Sequence, residues 1–250
     1  MGEPAKVIDL GELRRSCASC TLQQLCMPAA MDAAEVERLD RVVRSKRPLS
    51  RGELLYRQGE PMRSLYVSRD GAFKTTATDA DGNAQVLGIH LSGEIIGLDG
   101  FGSGYHQTDA EALQAASVCE LPLERLESLL AQLPSLQRQV LRVVGRGRDQ
   151  DQSHLEILGR RHADERMLLF LHSLRERYRL LSRDPDRITL PMSREDMASY
   201  LGVVLETVSR SLGRLQDEGL IHVRGRQLQI LDAERLAERV HGEAARRPGT

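Results

Sequence analysis

Glycine recurs about every ten positions from Gly52 to Gly97, at Gly52, Gly59, Gly71, Gly82, Gly93 and Gly97. The stretches between them alternate apolar and polar residues, as in "SLYVSRD" and "AQVLGIHL". Glycine supplies the positive φ that a tight reversal needs. Residues 31–130 are therefore expected to form short antiparallel strands closed into a small barrel or jelly roll. The clearest hairpin turn is "DADGN", between "FKTTAT" and "AQVLGIHL".

The period changes at "PLERLESLLAQLPSLQRQVLRVV", where apolar residues return at helical spacing. Two or three helices are expected, with a break near Pro134 and a long helix over 131–160. A third pattern, over 161–236, includes "ITLPMSREDMASYLGVVLETVSRSLGRLQDEGLIHVRGRQLQILD". The last residues, 237–250, read as a disordered tail, and residues 1–30 form a cysteine-rich segment of their own. The fold class is α+β. A chain of 250 residues, 40% hydrophobic and 28% charged, can sustain more than one core.

Two features bound the surroundings. No apolar run reaches the ~18–20 residues that cross a bilayer, so no membrane association is expected. The start "MGEPAKVIDLGELRRS" lacks the apolar core of a signal peptide, so the chain is expected to stay in the cytoplasm, where thiols are kept reduced. A net charge of −1 leaves nucleic-acid binding open, because a basic patch can coexist with an acidic remainder.

Within the third segment, Ser193 and Asp196 have the spacing of a capping box that opens a helix. Gly202 ends that helix and permits a tight turn. Met197, Leu201, Val203, Val208 and Leu212 then lock a second helix onto the first, which is the helix-turn-helix arrangement. Gly219 caps the second helix, and "LIHV", "RGR" and "QLQI" form a two-stranded wing turning at Gly225. Near the start of the second helix, Glu206 and Arg210 share a face with Ser209 beside them. A carboxylate can accept from cytosine, a guanidinium can bind guanine bidentately, and a hydroxyl can meet adenine or thymine. The competing assignment is a surface ion pair between Glu206 and Arg210; the position directly after a helix-turn-helix signal favours base reading.

All four cysteines are Cys17, Cys20, Cys26 and Cys119, three of them within "SCASCTLQQLC". Disulfides fit a reducing compartment badly. A structural zinc and an iron–sulfur cluster both accept four thiolates. The spacing alone leaves these two open.

A β-roll, a long helix and a winged helix-turn-helix, in that order, resemble the CRP/FNR superfamily of bacterial transcription regulators over roughly residues 15–231. The roll corresponds to a cyclic-nucleotide-binding-type domain and the long helix to a dimerisation helix. The cysteine pattern is similar to that of the FNR branch, the oxygen-responsive regulators, with Cys-x2-Cys-x5-Cys near the start and a fourth cysteine in the roll. "HLSGEIIGLDGFGSGYH" and "LGVVLETVSRSLGRLQDEGLI" also resemble FNR segments.

The resemblance implies a [4Fe–4S] cluster on Cys17, Cys20, Cys26 and Cys119, and base reading by Glu206, Ser209 and Arg210 of "ETVSR". It implies a homodimer on double-stranded DNA, a palindrome of the type TTGAT-N4-ATCAA, contact with RNA polymerase, and control of genes for low-oxygen metabolism. Oxygen attack on the cluster converts it to [2Fe–2S] in this family and loosens the dimer. Leu25 resembles a position whose bulk limits oxygen access. Asp151 matches an acidic residue of the dimer interface that keeps the clusterless protein monomeric. It lies where a seam begun by Leu136, Val140 and Val144 decays through Gly147, Asp151 and His154 before resuming at Leu158.

Relatives that bind cyclic AMP carry an arginine beside Ser or Thr for the phosphate, and "IIGLDGFGSGYHQTDAEA" has none. Cyclic nucleotide is therefore not an expected ligand. A redox enzyme using the cluster is the alternative of another class, but no nucleotide-binding glycine motif supports it, and the chain is not expected to be an enzyme.

Overall fold

The structure, a computed structural model, describes residues 17–23, 26–29, 31–45 and 48–245, with side chains through residue 240. Helix α1 (Ala33–Val42) begins on a capping box, in which Asp32 accepts from the Glu35 N–H and Glu35 reaches back to the Asp32 N–H. Eight strands follow: β1 (Arg44–Ser45), β2 (Leu54–Tyr56), β3 (Ser64–Asp70), β4 (Phe73–Thr78), β5 (Ala84–His90), β6 (Ile95–Ile96), β7 (Asp109–Ala112) and β8 (Ser117–Pro122). They make two antiparallel sheets, in the orders β1-β8-β3-β6 and β2-β7-β4-β5.

Strand β3 is buried over five successive residues, against the half-buried alternation expected of it. Apolar groups cover both of its faces. Tyr66 points into the roll with Phe73, Ile96 and Val118, while Leu65 and Val67 point outward into a second cluster with Met27, Leu39, Leu136 and Val143. Gly71, at φ +82°, turns β3 into β4 where a Cβ would lie 2.7 Å from the Ala116 Cβ. The "DADGN" turn closes on Asp79, whose carboxylate accepts from the N–H groups of Asp81 and Asn83.

Three helices follow, α2 (Leu123–Leu130), α3 (Pro134–Leu158) and α4 (Ala163–Leu180). Pro134 stands in the first turn of α3, where a missing N–H costs nothing. The C-terminal unit adds β9 (Arg187–Thr189), α5 (Arg194–Leu201), α6 (Leu205–Asp217), β10 (Ile221–Arg224), β11 (Gln227–Ile230) and α7 (Ala233–Ala245). Its core joins Met197, Leu201, Val208 and Leu212 to Phe170 and Leu174 of α4, and extends to Val86 and Ile89 of the roll.

Two expectations need correction. The wing is three-stranded, in the order β10-β11-β9, because "RIT" supplies a strand that a three-residue run does not announce. The segment from 237, read as a disordered tail, is helical through Ala245: Leu236 and Val240, one turn apart, are buried on the core that α4 lines. Residues 246–250 lie outside the described residues.

Candidate cysteine centre and nucleic-acid interface

Cys17 begins a single 3-10 turn, Cys17–Ser19, and its N–H donates to Asp40 Oδ1 of α1 at 2.8 Å. The Cys26 N–H donates to the Leu22 carbonyl at 3.0 Å, and the Cys26 carbonyl accepts from Gln139 Nε2 of α3 at 2.8 Å. Met27, next in sequence, is buried and anchors this loop among Leu39, Leu65 and Leu136. Cys119 comes from β8, between Ser45 of β1 and Val67 of β3. Leu25 lies outside the described residues.

All four thiols are free and partly buried. Burial pushes the Cys26 thiol up to about 12, and the neighbouring Cys119 and Cys20 add to the rise. The Cys17 thiol is raised by burial and then by the Asp40 carboxylate, with smaller contributions from Cys26 and Cys119. Burial also raises Cys119, opposed by Arg69 and reinforced by Cys20. The four sulfurs thus share one electrostatic neighbourhood. Among the described residues, however, no three Cys, His, Asp or Glu side chains converge as a metal site. Thiolates here need a cation, since desolvation otherwise keeps them protonated. Cys26 and Cys119 pack against the apolar cluster of Met27 and Leu65, and thiolates are the soft donors that suit a thiophilic metal group.

The DNA-reading geometry begins with the capping box. Ser193 accepts from the Asp196 N–H at 3.0 Å, and Asp196 Oδ2 accepts from the Ser193 N–H at 3.0 Å. Gly202 ends α5 at φ +62°. Arg166 of α4 clamps the turn, donating from Nη1 to the carbonyls of Leu201 and Gly202 at 2.9 and 3.1 Å. Nothing local in the sequence marks Arg166, because its partners lie 35 and 36 positions away.

Glu206, Ser209 and Arg210 all lie exposed on α6, with Val208 buried behind them. Arg210 Nε donates to the Glu206 carbonyl at 3.4 Å, and Ser209 Oγ to that of Leu205 at 3.3 Å. Among the described residues, no Glu206–Arg210 side-chain ion pair forms. Val204 and Leu205 are also exposed at the start of α6, an apolar surface suited to thymine methyl groups.

Helix α3 departs from the expected seam. Leu136 is fully buried against its own roll, and His154 stacks on Tyr200 at 3.8 Å. His154 Nε2 lies 2.7 Å from the Tyr200 carbonyl, which can only accept, so this nitrogen carries the proton. The outer stripe keeps the half-buried Val144 and the exposed Asp151 of that seam and adds the exposed Leu141, Arg148 and Leu155, at alternating spacings of three and four. Leu141 is 72% exposed and Leu155 62%, and Asp151 is exposed between them. Partial desolvation raises the Asp151 carboxyl, with Arg148 and His154 opposing.

In the arginine-free segment, Asp99 Oδ2 accepts from the N–H groups of Gln107 and Thr108 at 2.8 and 2.9 Å and from Thr108 Oγ1 at 2.8 Å. His106 Nδ1 lies 3.3 Å from Asp99 Oδ1 and stacks its ring on Tyr56. These donors already serve a carboxylate, which would repel an incoming phosphate.

A model of the Crp-like helix-turn-helix domain matches residues 165–239, and one of the cyclic nucleotide-binding domain matches residues 46–133. The transcriptional activator protein Anr of Pseudomonas protegens is 39% identical over 236 residues, covering 94% of this chain and 96% of that protein. The fumarate and nitrate reduction regulatory protein of Escherichia coli (strain K12) is 35% identical over 222 residues, 89% of each chain. Among solved structures, FixK2 from Bradyrhizobium japonicum aligns with a TM-score of 0.70 at 30% identity, covering 79% of this chain and 96% of that one. Among the described residues, no helix is long and apolar enough to cross a membrane.

Proposed function

The chain belongs to the CRP/FNR family of transcription regulators, and from that membership we propose that it is an oxygen-responsive activator of the FNR branch. It works in the cytoplasm as a homodimer on palindromic DNA, and Cys17, Cys20, Cys26 and Cys119 hold a [4Fe–4S] cluster. The observation that carries the reading is that all four cysteines are free and partly buried, with the Cys26 backbone bonded to the second turn of α3 and Cys119 supplied by β8, and that burial raises the thiols of Cys17, Cys26 and Cys119. Four thiolates match the ligand count of such a cluster. When bound, it supplies an oxygen-labile link between the N-terminal segment and the roll.

The chain's own residues make that link consequential. Asp40 ties the Cys17 backbone to α1, and Gln139 ties the Cys26 backbone to α3. The cysteine segment therefore bears directly on the helix whose outer stripe, Leu141 to Leu155, offers a seam for a second copy. Asp151 on that stripe places like charges together in a dimer and keeps association weak until the cysteine corner is ordered. In the dimer two α6 helices read the half-sites of a TTGAT-N4-ATCAA palindrome through Glu206, Ser209 and Arg210. Activation proceeds through contact with RNA polymerase, and Asp99 argues against a cyclic nucleotide effector.

The test is purification without oxygen, followed by visible absorption and analysis for iron, sulfide and zinc. Broad visible absorption that air bleaches, with iron and sulfide in equal amounts, supports the reading. Colourless protein carrying zinc overturns it.

A further inference from the structure

Helix α5, the support of the DNA-reading helix, is held along one face by three groups from outside the winged-helix unit. Lys74 Nζ of β4 lies 2.7 Å from Asp196 Oδ1 and 3.4 Å from Glu111 Oε2 of β7. The Val86 N–H of β5 donates to Ser199 Oγ at 2.9 Å. His154 of α3 stacks on Tyr200 and donates to its carbonyl. Asp196, Ser199 and Tyr200 follow helical spacing, so one face of α5 meets the roll and α3 together.

Asp196 is central because its two oxygens do different work. Oδ2 closes the capping box with Ser193, while Oδ1 receives the sensor-domain lysine. The pair is well shielded, with side chains 18% and 14% exposed, unlike a surface ion pair that water screens. A second fastener flanks it. Arg177 of α4 grips Glu94 through Nε and Nη2 at 2.8 and 2.6 Å, and Nη2 also donates to the Ile89 carbonyl of β5. Between α5 and α6 lie only Gly202, Val203 and Val204, and the two helices share Met197, Leu201, Val208 and Leu212 in one core. A tilt of α5 is therefore passed to α6.

We propose that Lys74 is a positioning residue for DNA reading: by gripping the capping carboxylate of α5, it sets where α6 stands relative to α3. In a symmetric dimer built on α3, that position determines the separation of half-sites the protein accepts. The proposal rests on the operator reading above. Its distinguishing consequence is selectivity for spacing, as opposed to affinity for DNA in general.

The test uses full-length protein handled without oxygen and duplexes carrying the palindrome with its spacer shortened or lengthened by a single base pair. Wild type is expected to favour one spacer. Lys74→Met is expected to lose roughly tenfold of that discrimination, within the range of ordinary coupling between sites, while Lys74→Arg keeps most of it. Unchanged discrimination in Lys74→Met overturns the proposal alone. So does a uniform loss on every duplex together with a lower melting temperature, since that marks a merely structural support. A wild type that does not prefer the palindrome to random DNA overturns the operator reading itself, and the proposal with it. Should Lys74→Met not fold, Ser199→Ala removes the acceptor of the Val86 N–H on the same face and is read against the same outcomes.

Discussion

The side-chain amide of Gln139 donates to the backbone carbonyl of Cys26 at 2.8 Å, from a position that is 3% exposed. The bond joins the cysteine loop to the second turn of α3, whose opposite face carries Leu141 and Asp151. A buried amide aimed at one carbonyl is specific in a way that apolar packing is not, because losing it leaves a desolvated polar group.

Gln139→Leu should therefore leave the cysteines able to take up iron while weakening what they control. Iron and sulfide per chain are expected to stay near wild type. The dimer dissociation constant measured without oxygen is expected to rise about five- to tenfold, as for one buried hydrogen bond of ~1–1.5 kcal/mol. Sedimentation of the two proteins side by side checks this, and equal dissociation constants would detach the loop from the helix.

Replacing any one of Cys17, Cys20, Cys26 or Cys119 by Ser should remove the cluster and operator binding together. A hydroxyl is a poor substitute for a soft thiolate, and three ligands leave one iron corner open. Cys119→Ser is the most informative, since Cys119 alone comes from the roll. Full iron and sulfide in that variant would show that the fourth ligand lies elsewhere.

Arg210→Ala should cost ~1–3 kcal/mol per half-site and relax preference at one G·C pair. Competition binding against operators altered at single positions reads both effects. Equal weakening on specific and random DNA would make Arg210 a phosphate contact.

Asp151→Ala should produce a protein that dimerises and binds its operator in air. The carboxylate is exposed on the stripe that Leu141 and Leu155 define, and alanine removes the like-charge cost while keeping helix propensity high. Ultracentrifugation of aerobic protein, wild type beside variant, is the measurement. A variant as monomeric as wild type would place the control of association outside Asp151.

Gly71→Ala should destabilise the roll by roughly 2–4 kcal/mol, combining a strained backbone with a steric overlap. A Cβ there would stand 2.7 Å from the Ala116 Cβ and 2.8 Å from the Ala115 carbonyl, at φ +82°. Gly82→Ala has the same φ problem but open space, so it should cost less. Thermal melts of the two variants separate crowding from strain.

The sequence by itself determined what short-range physics encodes. The Ser193–Asp196 box, the left-handed glycines at 202, 219 and 225 and the glycine-punctuated strands each depend on a few neighbouring residues, and each stands where it was read. The exposed triad Glu206, Ser209 and Arg210 was legible for the same reason, since helical spacing puts polar residues on one face. Tertiary structure alone decided the inward face of α3. Leu136 and His154 look like seam residues on a helical wheel, yet they pack on the roll and on Tyr200, because an apolar stripe does not say which partner covers it. Only the structure showed that β9 joins the wing and that Leu236 and Val240 find a core to hold α7. The same holds for Lys74 and Asp196, which meet across 122 positions. No local pattern encodes such a pair, and its attraction escapes screening by water only because the folded chain shields it.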